Sequence, residues 1–278
     1  MVAFVAPDSP KATFRESGGP ASGHPAPETS AVSLRSMRNA RFSNAVSGTA
    51  TVALAPMLLA QGLRVRRTTP RLPGADGPVT GGDGGGLALL AIGESTVDGV
   101  GAPDHERALT GSVAAALAAR TGRPVRWQAL GRTGANARVV HAELLPRVAR
   151  ADLVVIALGV NDTTELRSGA AFRRDLLRLV TGVRRRLGPV PVVLAGVPPM
   201  GRFPALPQPL RAVLGLRSGV LASAAAELSA VPGVRYVPMP AAMLDPATFA
   251  ADGFHPGPAA YRIWGDQLAG AALPLVTR

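Results

Sequence analysis

From Leu87 onward the apolar residues fall into short runs separated by longer stretches of mixed polarity. The runs are Leu87–Ile92, Val125–Leu130, Leu153–Leu158, Val190–Val197 and Val234–Val237. Each has the length of a strand and is apolar almost throughout, the pattern of a parallel strand buried on both faces. The stretches between them have helix length: Ala108–Arg120, Arg138–Arg150, Gly169–Leu187 and Leu206–Val231, with Ala259–Leu273 closing the series. Gly122 and Gly188 stand where helix C-caps belong. Repeated strand–helix units need a parallel sheet with right-handed crossovers and helices on both faces. The expected fold class is therefore α/β, a three-layer α/β/α sandwich formed by one domain over residues 87–278.

The first third of the chain reads differently. Residues 1–41 are rich in Pro, Gly, Ser and Ala without sustained periodicity, and such a segment buries too little apolar surface to order itself. It is expected to be disordered, or to precede a true start at Met37. The apolar segment 42–63 lies between arginines (Arg38 and Arg41 before it, Arg64, Arg66 and Arg67 after it). It approaches the length of a membrane span, about 20 residues, but is diluted by Ser47, Gly48, Thr49, Thr51 and Pro56. Three readings compete: a signal-anchor, a cleaved signal peptide with a small-residue site near Ala60, or a helix lying on the membrane or on the protein body. Arginine on both flanks leaves the orientation undecided. The segment points to a membrane-associated or exported protein, with a cytoplasmic one as the alternative. Residues 64–86, with Pro70, Pro73, Pro78 and the glycines from Gly81, read as a linker.

Composition narrows the chemistry. The 278 residues can bury one substantial core, and 47% hydrophobic with only 4% aromatic residues favours Ala/Val/Leu packing. There is no cysteine, which excludes disulfides, thiolate metal sites and a cysteine nucleophile. The formal charge of +12 is carried almost wholly by arginine. Arg173, Arg174, Arg178 and Arg184–Arg186 recur along one expected helix without interleaved aromatics, the look of a solvated face or one drawn to anionic lipid. No nucleic-acid partner is expected. His105 and His141 lack ligand spacing, so no metal and no cofactor is expected.

Chemistry-bearing residues gather where strands end. The first run stops at Gly93-Glu94-Ser95, the second at Gly131-Arg132-Thr133-Gly134, and the third at Gly159-Val160-Asn161-Asp162. Ahead of the last helix the chain reads Asp252-Gly253-Phe254-His255-Pro256. Taken singly, Ser95, Asn161 and Asp162 are ordinary helix caps, Gly134 a turn glycine and His255 a loop histidine. Taken together, in this order and at successive strand ends, they make a constellation.

On these four blocks the stretch from Leu87 to Pro274 resembles the SGNH hydrolase superfamily, the GDSL-type esterases and lipases. The resemblance implies a flavodoxin-like sheet and metal-free ester or amide hydrolysis. Carried over by motif, Ser95 is the nucleophile and Asp252 and His255 are its acid and base. The implied oxyanion donors are the Ser95 and Gly134 backbone N–H groups and the Asn161 side chain. Glu94 stands where the family has aspartate.

Physical chemistry supports the same assignment. A serine hydroxyl needs an imidazole to take its proton, and the imidazole needs a carboxylate to fix its tautomer. Asp252 and His255, three residues apart in one loop, can meet without the rest of the fold. Pro256 or Pro258 suits the first turn of the following helix. Donors must also face the developing oxyanion. The lack of a G-x-S-x-G pattern around Ser95 argues against a nucleophile elbow. Asp98 and Gly99 are expected to shape the loop after Ser95, and Tyr261 and Trp264 to pack the last helix. The expected partner is a small-molecule, lipid or glycan ester. Alternatives are an acyltransferase or thioesterase on the same site, or a catalytically silent lipid- or glycan-binding protein. The loop Pro198–Pro209 is placed to wall an acyl pocket.

Overall fold

The computed structural model describes residues 55–82 and 84–277. The expectations for residues 1–41, and for 42–54 of the apolar segment, lie outside the described residues.

The parallel strands are β2 (Leu87–Gly93), β3 (Val125–Gly131), β4 (Leu153–Ala157), β5 (Val192–Ala195) and β6 (Val234–Val237). They run in the order β3-β2-β4-β5-β6, the flavodoxin-like order. Every residue of β2, β4 and β5 is buried, as near-continuous apolar runs require when helices cover both faces. Alternation divides them. Leu89 and Ala91 of β2 enter one core with helices α2 (Leu109–Thr121) and α7 (Pro258–Val276), while Leu90 and Ile92 enter the opposite core with α5 (Gly169–Leu187) and α6 (Leu210–Ala226). The result is the expected three-layer sandwich. Strand order reverses at β2, with β3 added on one side and β4 on the other, so a crevice opens at the carboxyl ends of β2 and β4, where ligands bind in open α/β sheets.

Gly122 and Gly188 cap α2 and α5 in positive-φ conformations, as their positions suggest. The stretch read as one helix over Arg138–Arg150 is broken instead into three turns. One α turn, α3 (Ala137–Val139), passes into a π turn at Val140–Leu144 and a 3-10 turn at Leu145–Arg147. Pro146 is the physical reason: it has no N–H to donate, and its ring clashes with the carbonyl four residues back. The helix expected from Leu206 starts at Leu210, after Pro207 and Pro209, and ends in a 3-10 turn at Glu227–Ala230.

The segment before β2 is more ordered than a linker. Arg64–Thr68 continue helix α1 (Ala55–Thr68), and Thr80–Gly81 form β1, antiparallel to β3 at the sheet edge. Gly81 permits that pairing because the Trp127 ring lies against it; a β-carbon there would come 2.4 Å from the ring. The Ala75 N–H donates to the Asp98 carbonyl at 2.9 Å. Leu58 and Val65 of α1 pack against an apolar cluster of Val160, Met200, Phe203, Leu206, Leu210 and Leu214. Gln61, on the same face, donates to the Gln208 carbonyl at 2.7 Å and accepts from the Leu210 N–H at 3.1 Å. Residues 55–63 of the apolar segment thus lie on the protein body. No helix among the described residues is long and apolar enough to cross a membrane.

Candidate active site

Ser95 leaves the end of β2 in a run of turns, and the next helix begins only at Leu109 with Ala108 as its N-cap. Ser95 is therefore not a helix cap. Gly93 allows β2 and β4 to close up just before it, since a β-carbon at 93 would lie 2.1 Å from the Ala157 carbonyl oxygen. The Glu94 N–H donates to that oxygen at 3.1 Å, and the Val97 and Asp98 N–H groups turn back to the Glu94 carbonyl. Asp98 accepts from the Thr133 N–H at 3.1 Å and from its hydroxyl, tying the Ser95 loop to the loop that carries Gly134.

The loop between β6 and α7 brings His255 to Ser95. Asp252 Oδ1 accepts from the backbone N–H groups of Phe254 and His255, both at 2.9 Å, so the carboxylate sets the loop that carries the ring. Its other oxygen, Oδ2, lies 2.6 Å from His255 Nδ1, and His255 Nε2 lies 3.0 Å from Ser95 Oγ. Hydroxyl, imidazole and carboxylate form one hydrogen-bonded line across 160 residues of sequence. Burial acts to raise the Asp252 pKa. The hydrogen bonds from the His255 ring and from the two backbone N–H groups outweigh it and hold the carboxyl below its usual range. Pro258 occupies the first turn of α7.

The other expected residues surround this line. Gly134 adopts a left-handed conformation (φ 82°) with open space where a β-carbon would stand. Neither its N–H nor that of Ser95 has a hydrogen-bond partner among the described residues. Asn161 lies in the short helix α4 (Val160–Thr164) after β4. Its amide group donates to Glu94 Oε2 at 2.6 Å and to the Ala135 carbonyl at 3.1 Å.

Glu94 is the residue whose part sequence reasoning did not find. It is buried, and it accepts from the Val160 N–H at 3.0 Å, the Asn161 N–H at 3.1 Å and the Asn161 side chain. Burial pushes its pKa up to about 7; the hydrogen bonds pull the other way and Asp162 adds repulsion. An acid next to Ser95, at the closed end of a buried strand, is the signal in the sequence. Asp162 is also buried, its pKa raised to about 6 by burial first, and accepts from the Ala137 N–H at 3.1 Å.

His105 is buried with an unpartnered Nδ1, and burial lowers its pKa. His141 is exposed in the π turn. No group of three or more metal-ligating side chains exists among the described residues. Phe203 packs edge-on to Phe249 and Phe254, with centroids 5.6 Å and 4.9 Å away. Phe254 in turn lies 5.3 Å from the His255 ring.

Ser95, His255 and Asp252 thus stand in line beyond the carboxyl end of β2, and likeness to known proteins places the chain among hydrolases of the esterase class. The model of the GDSL-like Lipase/Acylhydrolase family matches residues 91–263, and the chain belongs to that family. It is 30% identical over 249 residues to the GDSL-like esterase Rv1075c of Mycobacterium tuberculosis (strain ATCC 25618 / H37Rv), covering 81% of this chain and 78% of that relative. Among solved structures it resembles the lipase Lip_vut3 from a goat rumen metagenome. The TM-score is 0.56 at 16% identity, over 66% of this chain and 97% of that one. It also resembles a family 3 carbohydrate esterase from Clostridium thermocellum, with TM-score 0.54 at 14% identity over 68% and 96%. These two likenesses are likenesses of fold.

Proposed function

We propose that the protein cleaves carboxylic esters through an acyl-enzyme on Ser95. The observation that carries this reading is the Ser95–His255–Asp252 line, with separations of 3.0 Å and 2.6 Å. Ser95 Oγ attacks the ester carbonyl carbon while its proton passes to His255 Nε2. The imidazolium is held by Asp252 and then protonates the departing alkoxide as the C–O bond breaks. Water next attacks the acyl carbon, giving its proton to His255, and Ser95 leaves with that proton as the acid is released.

The unpartnered N–H groups of Ser95 and Gly134 are proposed to receive the oxyanion. Asn161 adds a third donor by sharing the amide hydrogen that it now gives, over the longer distance, to the Ala135 carbonyl. Such donors are worth about 3 to 4 kcal/mol each where they act on the transition state alone. The acyl group is proposed to lie on the side of Val160 and Phe254, which precede Asn161 and His255 in the chain. Met200, Phe203 and Leu206, from the loop expected to wall this pocket, cluster with them. The lipase and carbohydrate esterase likenesses fit a small ester substrate of either kind. Residues 42–63 are proposed to serve membrane association and not the chemistry.

A series of p-nitrophenyl esters of increasing acyl length tests the reading. Turnover of short esters, lost in His255→Ala with the fold intact by circular dichroism, is the expected result. An intact fold with no turnover of any ester would favour a silent binding protein.

A further inference from the structure

We propose that the outward face of α1 docks the protein on a bilayer of anionic phospholipid, with the headgroup phosphates held by an arginine-lined groove. This deepens the reading of residues 42–63 as a membrane-associating segment by naming the face and the lipid class. It is independent of the chemistry at Ser95.

Helix α1 has two distinct faces. Leu58, Gln61 and Val65 recur at helical spacing and turn to the body, where Leu58 and Val65 join the apolar cluster and Gln61 bonds to Gln208 and Leu210. Leu59 and Leu63, one turn apart on the other side, are 65% and 45% exposed. Two large apolar side chains one turn apart on the water-facing side of the helix, next to arginines, make an apolar patch without a partner among the described residues.

The apolar positions are joined to positive charge of one sign. Arg64, Arg66, Arg67 and Arg71 follow directly, no acid occurs from Ala55 to Ala75, and none of the four arginines pairs with a carboxylate among the described residues. Leu63, Arg66, Arg67, Thr69 and Arg71 line a groove of about 610 Å³. Leucines beside a groove of guanidinium groups and a threonine hydroxyl match the two layers of an anionic membrane surface, acyl boundary and phosphate. Guanidinium groups bind phosphate oxygens in pairs of parallel hydrogen bonds. The apolar cluster beneath α1 contains Val160 and is packed against Phe254, so a protein docked by this face sits with the site's apolar side close to the membrane.

The test is sedimentation of the full chain with vesicles of phosphatidylcholine alone or mixed with phosphatidylglycerol. The wild type binds the mixed vesicles, and more salt weakens binding. Arg66→Gln with Arg67→Gln lowers the partition coefficient about thirtyfold, from about fivefold per surface arginine. Leu59→Ser with Leu63→Ser lowers it by about tenfold or more. Turnover of a soluble short-chain ester stays at the wild-type value in both variants, since neither pair touches the site. Equal binding to both vesicle types, or equal binding by wild type and variants, overturns the proposal. So does binding of inorganic phosphate without binding to vesicles, or a leucine variant that only changes the chain's self-association. Loss of esterase activity in the wild type would count against the proposed chemistry and leave the vesicle result to be judged by itself.

Discussion

The carboxylate of Glu94 accepts a 2.6 Å hydrogen bond from the side-chain amide of Asn161, the residue proposed to complete the oxyanion hole. Glu94 immediately precedes Ser95, so one buried acid joins the Ser95 loop at the end of β2 to Asn161 at the end of β4. Its two backbone donors, Val160 and Asn161, fix the start of α4 in the same way.

That junction predicts an unusual dependence of stability on pH. The folded-state pKa of Glu94 is raised from 4.5 to about 7, so the folded protein holds a proton that the unfolded chain has lost. The contribution is fully present below about 4.5 and is lost as pH rises through about 7, a change on the order of 3 kcal/mol. Asp162 slopes the same way up to about 6. Glu94→Gln removes only the Glu94 part. It also turns an amide N–H₂ towards N–H donors, a cost that does not vary with pH. Urea unfolding of both proteins from pH 4.5 to 8 should therefore show the variant gaining on the wild type across this window; parallel curves would mean that Glu94 does not titrate there.

Glu94→Gln should also lower kcat. Loss of a charge-assisted hydrogen bond to Asn161 loosens the amide, and roughly a tenfold fall at pH 8 is expected with KM little changed. Wild-type kcat in the variant would leave the bond a purely structural one.

Asn161→Ala removes the proposed donor itself. The expected loss in kcat is about 10² to 10³. A large fall in thermal midpoint with unchanged kcat per folded molecule would show instead that Asn161 only ties β4 to Glu94 and Ala135.

Asp252 presents the opposite linkage. Its pKa lies below the ordinary carboxylate value, so its contribution to stability is present above that value and is lost as pH falls through the lower one. Asp252→Asn should flatten the acid end of the stability curve. It should also lower kcat at neutral pH by up to about 10⁴, the size of the fall in a chymotrypsin-type triad once the imidazole tautomer is no longer fixed. Unchanged activity with an unchanged acid limb would separate Asp252 from His255.

The strands were legible because burial on both faces leaves them apolar throughout: β2, β4 and β5 have no exposed residue to break the pattern. Edge strand β1 was hidden. Its two residues, Thr80 and Gly81, carry no periodicity, and their pairing depends on the Trp127 ring accepting a glycine against it. The Arg138–Arg150 stretch reads as one helix only while its apolar spacing is given more weight than Pro146. At the site, the Asp252–His255 contact spans three residues and could be read locally. The Glu94–Asn161 contact spans 67 residues and exists only because β2 and β4 are neighbours in the sheet.

Everything proposed for the chemistry depends on activation of Ser95 by His255. The most direct measurement is intact mass after exposure to a fluorophosphonate, followed by peptide mapping. One adduct is expected, on Ser95, absent in Ser95→Ala and formed much more slowly in His255→Ala. An adduct that persists in Ser95→Ala, or that maps to another serine, would contradict it.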